Sequence, residues 1–277
     1  MDSWHPDFIS RSPVLQHLRN AAGALGGGKW PTREHVGRVL NEAGIRTATG
    51  LMLRPVVPGG RGYESRIYEQ GELGFREHNW HDLFNVLTWL AFPRSKAAMN
   101  ARHYSALSRD AAVNGHRRGA LRDALTLLDE SGLVVASSVP GLLQMIREFR
   151  WKPLFWEQRQ AVLAHMHFLP FGHALCEKAL DPYIGMTAHG LLLDVEAGFF
   201  ELPAAERLAQ IDLRVAQLLD DRRTFQATTE LYPVPLLGIP GWHDDNRCAG
   251  FYDNQGYFRP GRRAALSGVG AGRGGAG

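Results

Sequence analysis

Residues Arg76–Tyr104, REHNWHDLFNVLTWLAFPRSKAAMNARHY, indicate both how this part of the chain folds and where its chemistry lies. Asn79 is a good helix cap, and apolar residues follow it at helical spacing as far as Ala91. Pro93 ends that helix, and Ser95–Leu107 is predicted to form the next one. The same 29 residues contain three histidines, three asparagines and two tryptophans. Because a fold alone rarely needs these scarce residue types so close together, the segment marks a candidate site.

The composition of the whole chain is that of a globular protein. Its length of 277 residues is enough for one large domain or two small ones. Hydrophobic residues make up 44% of the chain and charged residues 21%. The net charge of +3 is spread along the chain, so it permits contact with nucleic acid without requiring it. Two cysteines cannot build a disulfide framework, and Cys176 is predicted to be a small buried residue. With neither a signal peptide nor a membrane span in the pattern, we expect a cytoplasmic protein without membrane contact.

Helices predominate on both sides of the opening segment. The predicted helices are Pro13–Ala24, Thr32–Glu42, Leu121–Ser131, Pro140–Phe149, Phe155–Met166, His173–Leu180 and Ala204–Asp221. Strands are predicted at Tyr63–Glu69 and around Val134 and Val135, and the chain turns extended and aromatic from Thr229 onward. These elements predict an α+β fold: a mainly helical single domain with a few short strands and an extended aromatic C-terminal segment. We expect an N-terminal helical segment and linker (residues 1–62), a main domain (63–260) and a disordered glycine-rich tail (261–277).

The first candidate catalytic group is His81, Asp82 and Asn85. His81 and Asn85 are four residues apart on a predicted helix, so their side chains lie on one face and could share a metal ion or a water. Asp82 adds a carboxylate beside them. The alternative for Asp82 is purely structural, since an acidic residue in the first turn interacts favourably with the helix dipole.

The second candidate group is His173 and Glu177. Their spacing of four residues suits a histidine–carboxylate pair on one helix, and with His81 they are predicted to bind a divalent metal ion. The alternative is a hydrogen-bonded His173–Glu177 pair, or a helix cap by His173.

Further residues are expected to line the same pocket. Asp123 and Glu130 share one face of their predicted helix, where they either act together or form a solvated surface. Arg122 and Asp129 share another face and could be an ion pair. The remaining pocket candidates are Asn100, beside His103 on its helix, and Trp242, which otherwise belongs to an aromatic lid over the core.

The order of His81 and Asn100, one helix apart, resembles the metal site of His-Me finger nucleases. That resemblance implies His81 as the base for a water and the later residue as ligand of a divalent ion beside a phosphate. Two departures from the pattern are evident. His81 begins a predicted helix instead of lying on a β-hairpin, and the usual loop between the two residues is missing.

Six motifs together resemble a bacterial family catalogued as domain of unknown function 3025. The motifs are YESRIYE (63–69), NWHDLFNVLTWLAFPRSKAAMN (79–100), RDALTLLDESG (122–132), LFWEQR (154–159), FGHALCEK (171–178) and LLGIPGW (236–242). The resemblance spans Tyr63 to Pro260, implies no assigned reaction, and leaves the glycine-rich tail outside. His78 departs from the pattern, which favours Asn at that position.

The pattern of polar pairs on otherwise apolar helices favours a metal-assisted hydrolase, with a phosphodiester as one substrate class. No phosphate-binding loop, dinucleotide motif, serine-hydrolase elbow or HExxH motif supports another class of enzyme. The alternative is a non-catalytic binding or interaction protein with a buried His/Asn/Asp network. The amphipathic helix Ala204–Asp221 could serve a homodimer, although a helix that faces the core has the same pattern.

Overall fold

The computed structural model describes residues 3–60, 62–113 and 119–261. The tail predicted for residues 261–277 lies outside this part of the chain except for Gly261. The longer helices are α1 (Arg19–Leu25), α2 (Arg33–Glu42), α3 (Tyr63–Gln70), α4 (Trp80–Ala91), α5 (Pro93–Val113), α6 (Ala120–Ser131), α7 (Pro140–Arg147), α8 (Arg159–His165), α9 (His173–Lys178) and α10 (Ala204–Asp220). The strands are β1 (Arg54–Val56), β2 (Glu72–Gly74), β3 (Gly132–Ser137), β4 (Met166–Pro170), β5 (Thr187–Asp194) and β6 (Tyr232–Pro235).

A four-stranded mixed sheet forms the centre of the molecule, with strand order β4-β3-β5-β6. The two inner strands, β3 and β5, are parallel, and each outer strand is antiparallel to its neighbour. A separate pair, β1 and β2, is parallel. Helices and strands together make one α+β domain, so the predicted fold class is confirmed.

Every residue of β3 is buried, because apolar layers cover both faces of the central sheet. Leu133 and Val135 join a cluster that contains the apolar side of α4, whereas Val134 and Ala136 join a second cluster with α5, α6 and α10. Alternate side chains of a strand point to opposite faces, which explains this division. The sheet therefore holds α4 on one side and α6 on the other, the two helices that carry the candidate site.

The packed helices α5 and α10 satisfy each other's ends. Asp212 of α10 accepts hydrogen bonds from the backbone N–H groups of Arg94 and Ser95 at the start of α5 (3.1 and 2.8 Å). In return, Arg102 of α5 donates to the carbonyl of Leu219 at the end of α10 (2.6 Å). The apolar face of α10 is thus buried within its own chain. No helix of the described residues is both long and apolar enough to span a membrane.

Several predicted elements differ from the structure. Tyr63–Glu69 was expected to be a strand, but it lies within helix α3, which glycines with positive φ flank on both sides (Gly62 at 82° and Gly71 at 66°). The alternation of polar and apolar residues there is too short to distinguish the two-residue period of a strand from the 3.6-residue period of a helix. Phe155–Met166 was expected to be one helix. Instead a π-helical turn (Pro153–Glu157) precedes α8, and Met166 pairs with β3 as the first residue of β4.

Candidate functional site

Local structure fixes the first turn of α4 and with it the position of His81. The side-chain oxygen of Asn79 accepts a hydrogen bond from the N–H of Asp82 at 3.0 Å, which confirms the predicted cap. His81 therefore lies on a helix, as the sequence indicated, and not on the β-hairpin of a His-Me finger. Because α4 packs against α9, His81 faces His173 at the start of that helix.

The imidazoles of His81 and His173 approach each other through their Nε2 atoms. The Nε2 atoms of His81 and His173 lie 3.0 Å apart, and an oxygen of Glu130 lies 3.7 Å from Nε2 of His173. One donor atom from each of these three residues falls within 4.8 Å of the others, so they form a group that could hold a metal ion. His173 is buried, whereas His81 and Glu130 are partly exposed, so the group opens toward solvent.

The other nitrogen of each imidazole points to a carboxylate. Nδ1 of His81 lies 3.0 Å from Glu177, and Nδ1 of His173 lies 3.7 Å from Asp129. A carboxylate behind a histidine fixes which ring nitrogen carries the proton and leaves the other free to bind a metal. His81 therefore has the surroundings of a metal ligand, whereas Nδ1 of His173 is buried within ion-pair distance of Asp129 without a hydrogen bond to it.

Gly172 permits this arrangement. A Cβ atom at this position would lie 2.4 Å from the backbone nitrogen of Ser131 and 2.5 Å from the carbonyl of Glu130. The N–H groups of Phe171 and Gly172 both donate to the carbonyl of Gly132 at 2.9 Å. The close backbone contact brings the start of α9 against the end of α6, and therefore His173 beside Glu130.

Lys96 supports the site from the interior. Its ammonium group is buried and donates to Asp129 at 2.5 Å and to the side-chain oxygen of Asn85 at 3.0 Å. Burial alone would raise the pKa of Asp129, but Lys96 and His173 together hold it below its usual value. Asp129 therefore remains a carboxylate beside His173.

Tyr63 and Glu64 enter the same cleft from the first turn of α3. The Tyr63 hydroxyl accepts a hydrogen bond from the Asn85 amide at 2.7 Å. Glu64 accepts from the Asn100 amide, also at 2.7 Å. Burial, followed by the charge of Asp129, raises the pKa of Glu64 to about 7. A carboxyl group with such a pKa can both accept and release a proton at neutral pH.

These side chains surround an open cleft of about 290 Å³. Its lining contains the predicted residues His81, Asp82, Asn85, Glu130 and His173. It also contains residues that the sequence did not single out as part of a site, namely Pro58, Tyr63, Glu64, Gly74, Arg76 and Thr126.

The two remaining members of the predicted catalytic group are occupied by neighbours. Asp82 accepts three hydrogen bonds from Arg76, one from the backbone N–H and two from the guanidinium, at 2.6–2.9 Å. Asn85 bridges Lys96 and Tyr63. Both residues line the cleft, but their contacts are those of side chains that position others.

Other expected contacts are corrected by the structure. Glu177 pairs with His81 and not with His173, because the two ends of α9 face different partners. Asp129 pairs with Lys96, and Arg122 lies 3.4 Å from Asp110, so the described residues do not form the Arg122–Asp129 ion pair that the sequence suggested.

Three pocket candidates lie outside the centre of the cleft. Asn100 lies behind Glu64, where both line a small cavity of about 10 Å³, and its neighbour His103 lines the cleft itself. Asp123 is exposed on α6 one to two turns before Asp129 and does not line the cleft. Trp242 lines a different cavity of about 520 Å³, where its ring contacts Phe168.

The residues that sequence reasoning missed carry weak signals. Tyr63 and Glu64 belong to the element that was predicted to be a strand, and nothing in their spacing relates them to His81. Lys96 is buried, and a lysine is rarely buried without a partner. Because that burial is a property of the folded chain, the sequence alone could not have indicated Lys96.

Comparison with known proteins agrees with the motifs. Residues 54–262 match the family model described as Protein of unknown function (DUF3025). No curated protein and no solved structure matches the chain at a comparable level of significance. The matched region includes every residue of the cleft and most of the chain. The chain therefore belongs to the DUF3025 family of proteins of unknown function.

Proposed function

We propose that the cleft binds a divalent metal ion through His81, His173 and Glu130, and that the protein is a metal-dependent hydrolase. The single observation that carries the proposal is the orientation of the two imidazoles. Their Nε2 atoms converge beside Glu130, while each Nδ1 faces a carboxylate.

The close approach of the two Nε2 atoms favours a cation between them. If each Nδ1 carries the proton that its carboxylate attracts, two nitrogen lone pairs face each other at 3.0 Å. Such an arrangement is repulsive unless a proton or a metal ion is shared. Metal–nitrogen bonds are about 2.0–2.1 Å long for zinc, and two ligands on one ion are then separated by roughly 3 Å.

Two histidines and one glutamate form a donor set typical of hydrolytic zinc sites, which keep a further position for water. A metal ion held there would lower the pKa of a bound water and polarise the bond to be cleaved. Glu64 lines the same cleft, and its pKa of about 7 suits a residue that takes a proton from the attacking water and later returns it. Glu177 orients His81, the charge of Asp129 lies 3.7 Å from Nδ1 of His173, and Lys96 keeps Asp129 ionised.

The metal site can be tested with the purified full chain and a set of matched variants. Zn²⁺, Mn²⁺ and Co²⁺ are titrated by calorimetry, and bound metal is measured by mass spectrometry after gel filtration. We expect one ion per chain in the wild type and a loss of binding in His81→Ala and His173→Ala. His165→Ala, which removes an exposed histidine from α8, is the control and should bind as the wild type does. Equal binding in all four proteins would remove the proposed site.

The alternative function is a non-catalytic binding protein, and one observation favours it. Asp82, Asn85 and Asn100 are each held by a neighbouring side chain, as expected of a structural network. Glu64→Gln separates the two functions. In a hydrolase this variant retains the metal and loses turnover on a panel of ester, amide and phosphoester substrates. If the metal-loaded wild type and the variant are equally inactive on that panel, the binding function is favoured.

Whether the substrate is the phosphodiester suggested by the sequence depends on the charges that line the cleft.

A further inference from the structure

We propose that the substrate of this cleft is a neutral acyl compound, an ester or an amide, and that the Tyr63 hydroxyl stabilises the oxyanion formed on its carbonyl oxygen. The inference rests on the proposed metal-dependent hydrolase and names the substrate class of that site. It replaces the phosphodiester that the sequence favoured.

The charges of the cleft disfavour a phosphate group. Carboxylates dominate the lining, which includes Glu64, Asp82, Asp129 and Glu130. Phosphoryl transfer relies on cations around the phosphate oxygens in addition to the metal. Within the described lining, Arg76 is the single lysine or arginine, and Lys96 lies behind Asp129.

Both of these cations are already matched by an anion. The Arg76 guanidinium makes two hydrogen bonds to Asp82, and more than half of its side chain is exposed. Lys96 is 3% exposed and donates to Asp129 and Asn85. A phosphodiester would therefore meet several carboxylates and no uncommitted lysine or arginine of the described lining, whereas a neutral ester or amide brings no charge into this field.

Tyr63 has the contacts of an oxyanion donor. Lys96 donates to the Asn85 oxygen, and the Asn85 amide donates to the Tyr63 oxygen, so the phenol O–H remains available to the cleft. A chain of hydrogen bonds that begins at an ammonium group polarises each successive donor, which strengthens the final one. A phenol has an ordinary pKa of about 10, so the Tyr63 hydroxyl keeps its proton at neutral pH.

The reaction then uses Tyr63 and Glu64, which both line the cleft. The oxygen of a water bonds to the carbonyl carbon while one of its protons passes to the Glu64 carboxylate. The electron pair of the C=O bond moves to the carbonyl oxygen, which accepts a hydrogen bond from Tyr63. When the C=O bond re-forms, the C–N or C–O bond breaks and Glu64 returns the proton to the leaving nitrogen or oxygen. The products are a carboxylic acid and an amine or alcohol.

The test uses the Co²⁺-loaded full chain, whose visible absorption reports on ligands at the metal. Acetohydroxamate, which presents an acyl oxygen, and inorganic phosphate are titrated separately. We expect acetohydroxamate to change the spectrum at a concentration at least about tenfold lower than phosphate does. Phosphate binding as tightly as acetohydroxamate, or more tightly, would overturn the acyl substrate and leave the metal site in place. A chain that takes up no Co²⁺ would overturn the proposed function itself, and the inference with it.

A second measurement isolates Tyr63. Tyr63→Phe should leave the Co²⁺ spectrum unchanged and weaken acetohydroxamate binding about tenfold, the loss expected for one hydrogen bond to a charged oxygen. Tyr68→Phe, on the same helix and stacked on Tyr104, is the matched control and should bind as the wild type does. Equal affinity in Tyr63→Phe and wild type would remove Tyr63 from the proposal.

Discussion

Replacing Glu64 with glutamine is expected to stabilise the metal-free protein increasingly as the pH rises from 5 to 8. The pKa of Glu64 is about 7 in the folded chain, against an ordinary value of 4.5. Between these values the folded state holds a proton that the unfolded state has released. The free energy of unfolding of the wild type therefore falls as the pH rises through this window. Glutamine has no charge to bury, so the variant escapes this loss.

The size of the effect follows from the same shift. Each pKa unit corresponds to about 1.4 kcal/mol, so the full shift amounts to about 3 kcal/mol. Part of this free-energy difference already exists at pH 5, because the unfolded state begins to release its proton near pH 4.5. Between pH 5 and pH 8 the difference in unfolding free energy between Glu64→Gln and wild type should grow by about 2 kcal/mol. The glutamine side chain of the variant can still accept the hydrogen bond of Asn100, so this contact does not obscure the comparison.

Urea unfolding, followed by circular dichroism in the presence of a chelator, measures the difference at both pH values. Glu69→Gln removes an exposed carboxylate from the same helix and serves as control. A difference between Glu64→Gln and wild type that is the same at pH 5 and pH 8 would refute the reasoning. So would a change of equal size in the control.

Three further outcomes are expected. Gly172→Ala should weaken Zn²⁺ binding by about tenfold or more in calorimetry, because the added Cβ forces α9 away from Glu130; wild-type affinity would contradict this. Lys96→Met should lower the free energy of unfolding by about 3–5 kcal/mol, because Asp129 stays buried without its cation. The double variant with Asp129→Asn should recover part of that loss, and no recovery would argue against the charge as its cause. Cys176 should resist alkylation in the native protein, since it is buried and burial raises the pKa of its thiol, while the exposed Cys248 reacts; peptide mapping after iodoacetamide treatment distinguishes the two.

The network behind the cleft explains why the sequence favoured Asp82 and Asn85 as catalytic residues. Both are buried polar side chains at the start of α4, where spacing alone groups them with His81. The structure shows that each has a partner, Arg76 for Asp82 and Lys96 with Tyr63 for Asn85. Spacing on a helix identifies side chains that share a face, but it does not show which of them are already occupied.

Local signals in the sequence were sufficient for α4 and for its capping residue. Asn79 caps the helix, and the helix ends at Ala91 before Pro93, because caps, apolar periodicity and proline act within a few residues. The family was also evident from the motifs alone. The same local reasoning placed β3 around Val134 and Val135, but it missed β4 and β5, whose pairing with β3 involves distant residues.

Only the tertiary structure decided which side chains meet. The sequence paired His173 with Glu177 because they are four residues apart, yet Glu177 contacts His81, 96 positions away along the chain. Glu64 and Tyr63 join the site because α3 packs against α5, and Glu130 joins because Gly172 lets α9 touch α6. Hydrogen bonding within a helix fixes the spacing of residues along its axis. The packing of helices against a common sheet fixes how those axes are arranged, and that arrangement brings the two imidazoles together with a carboxylate.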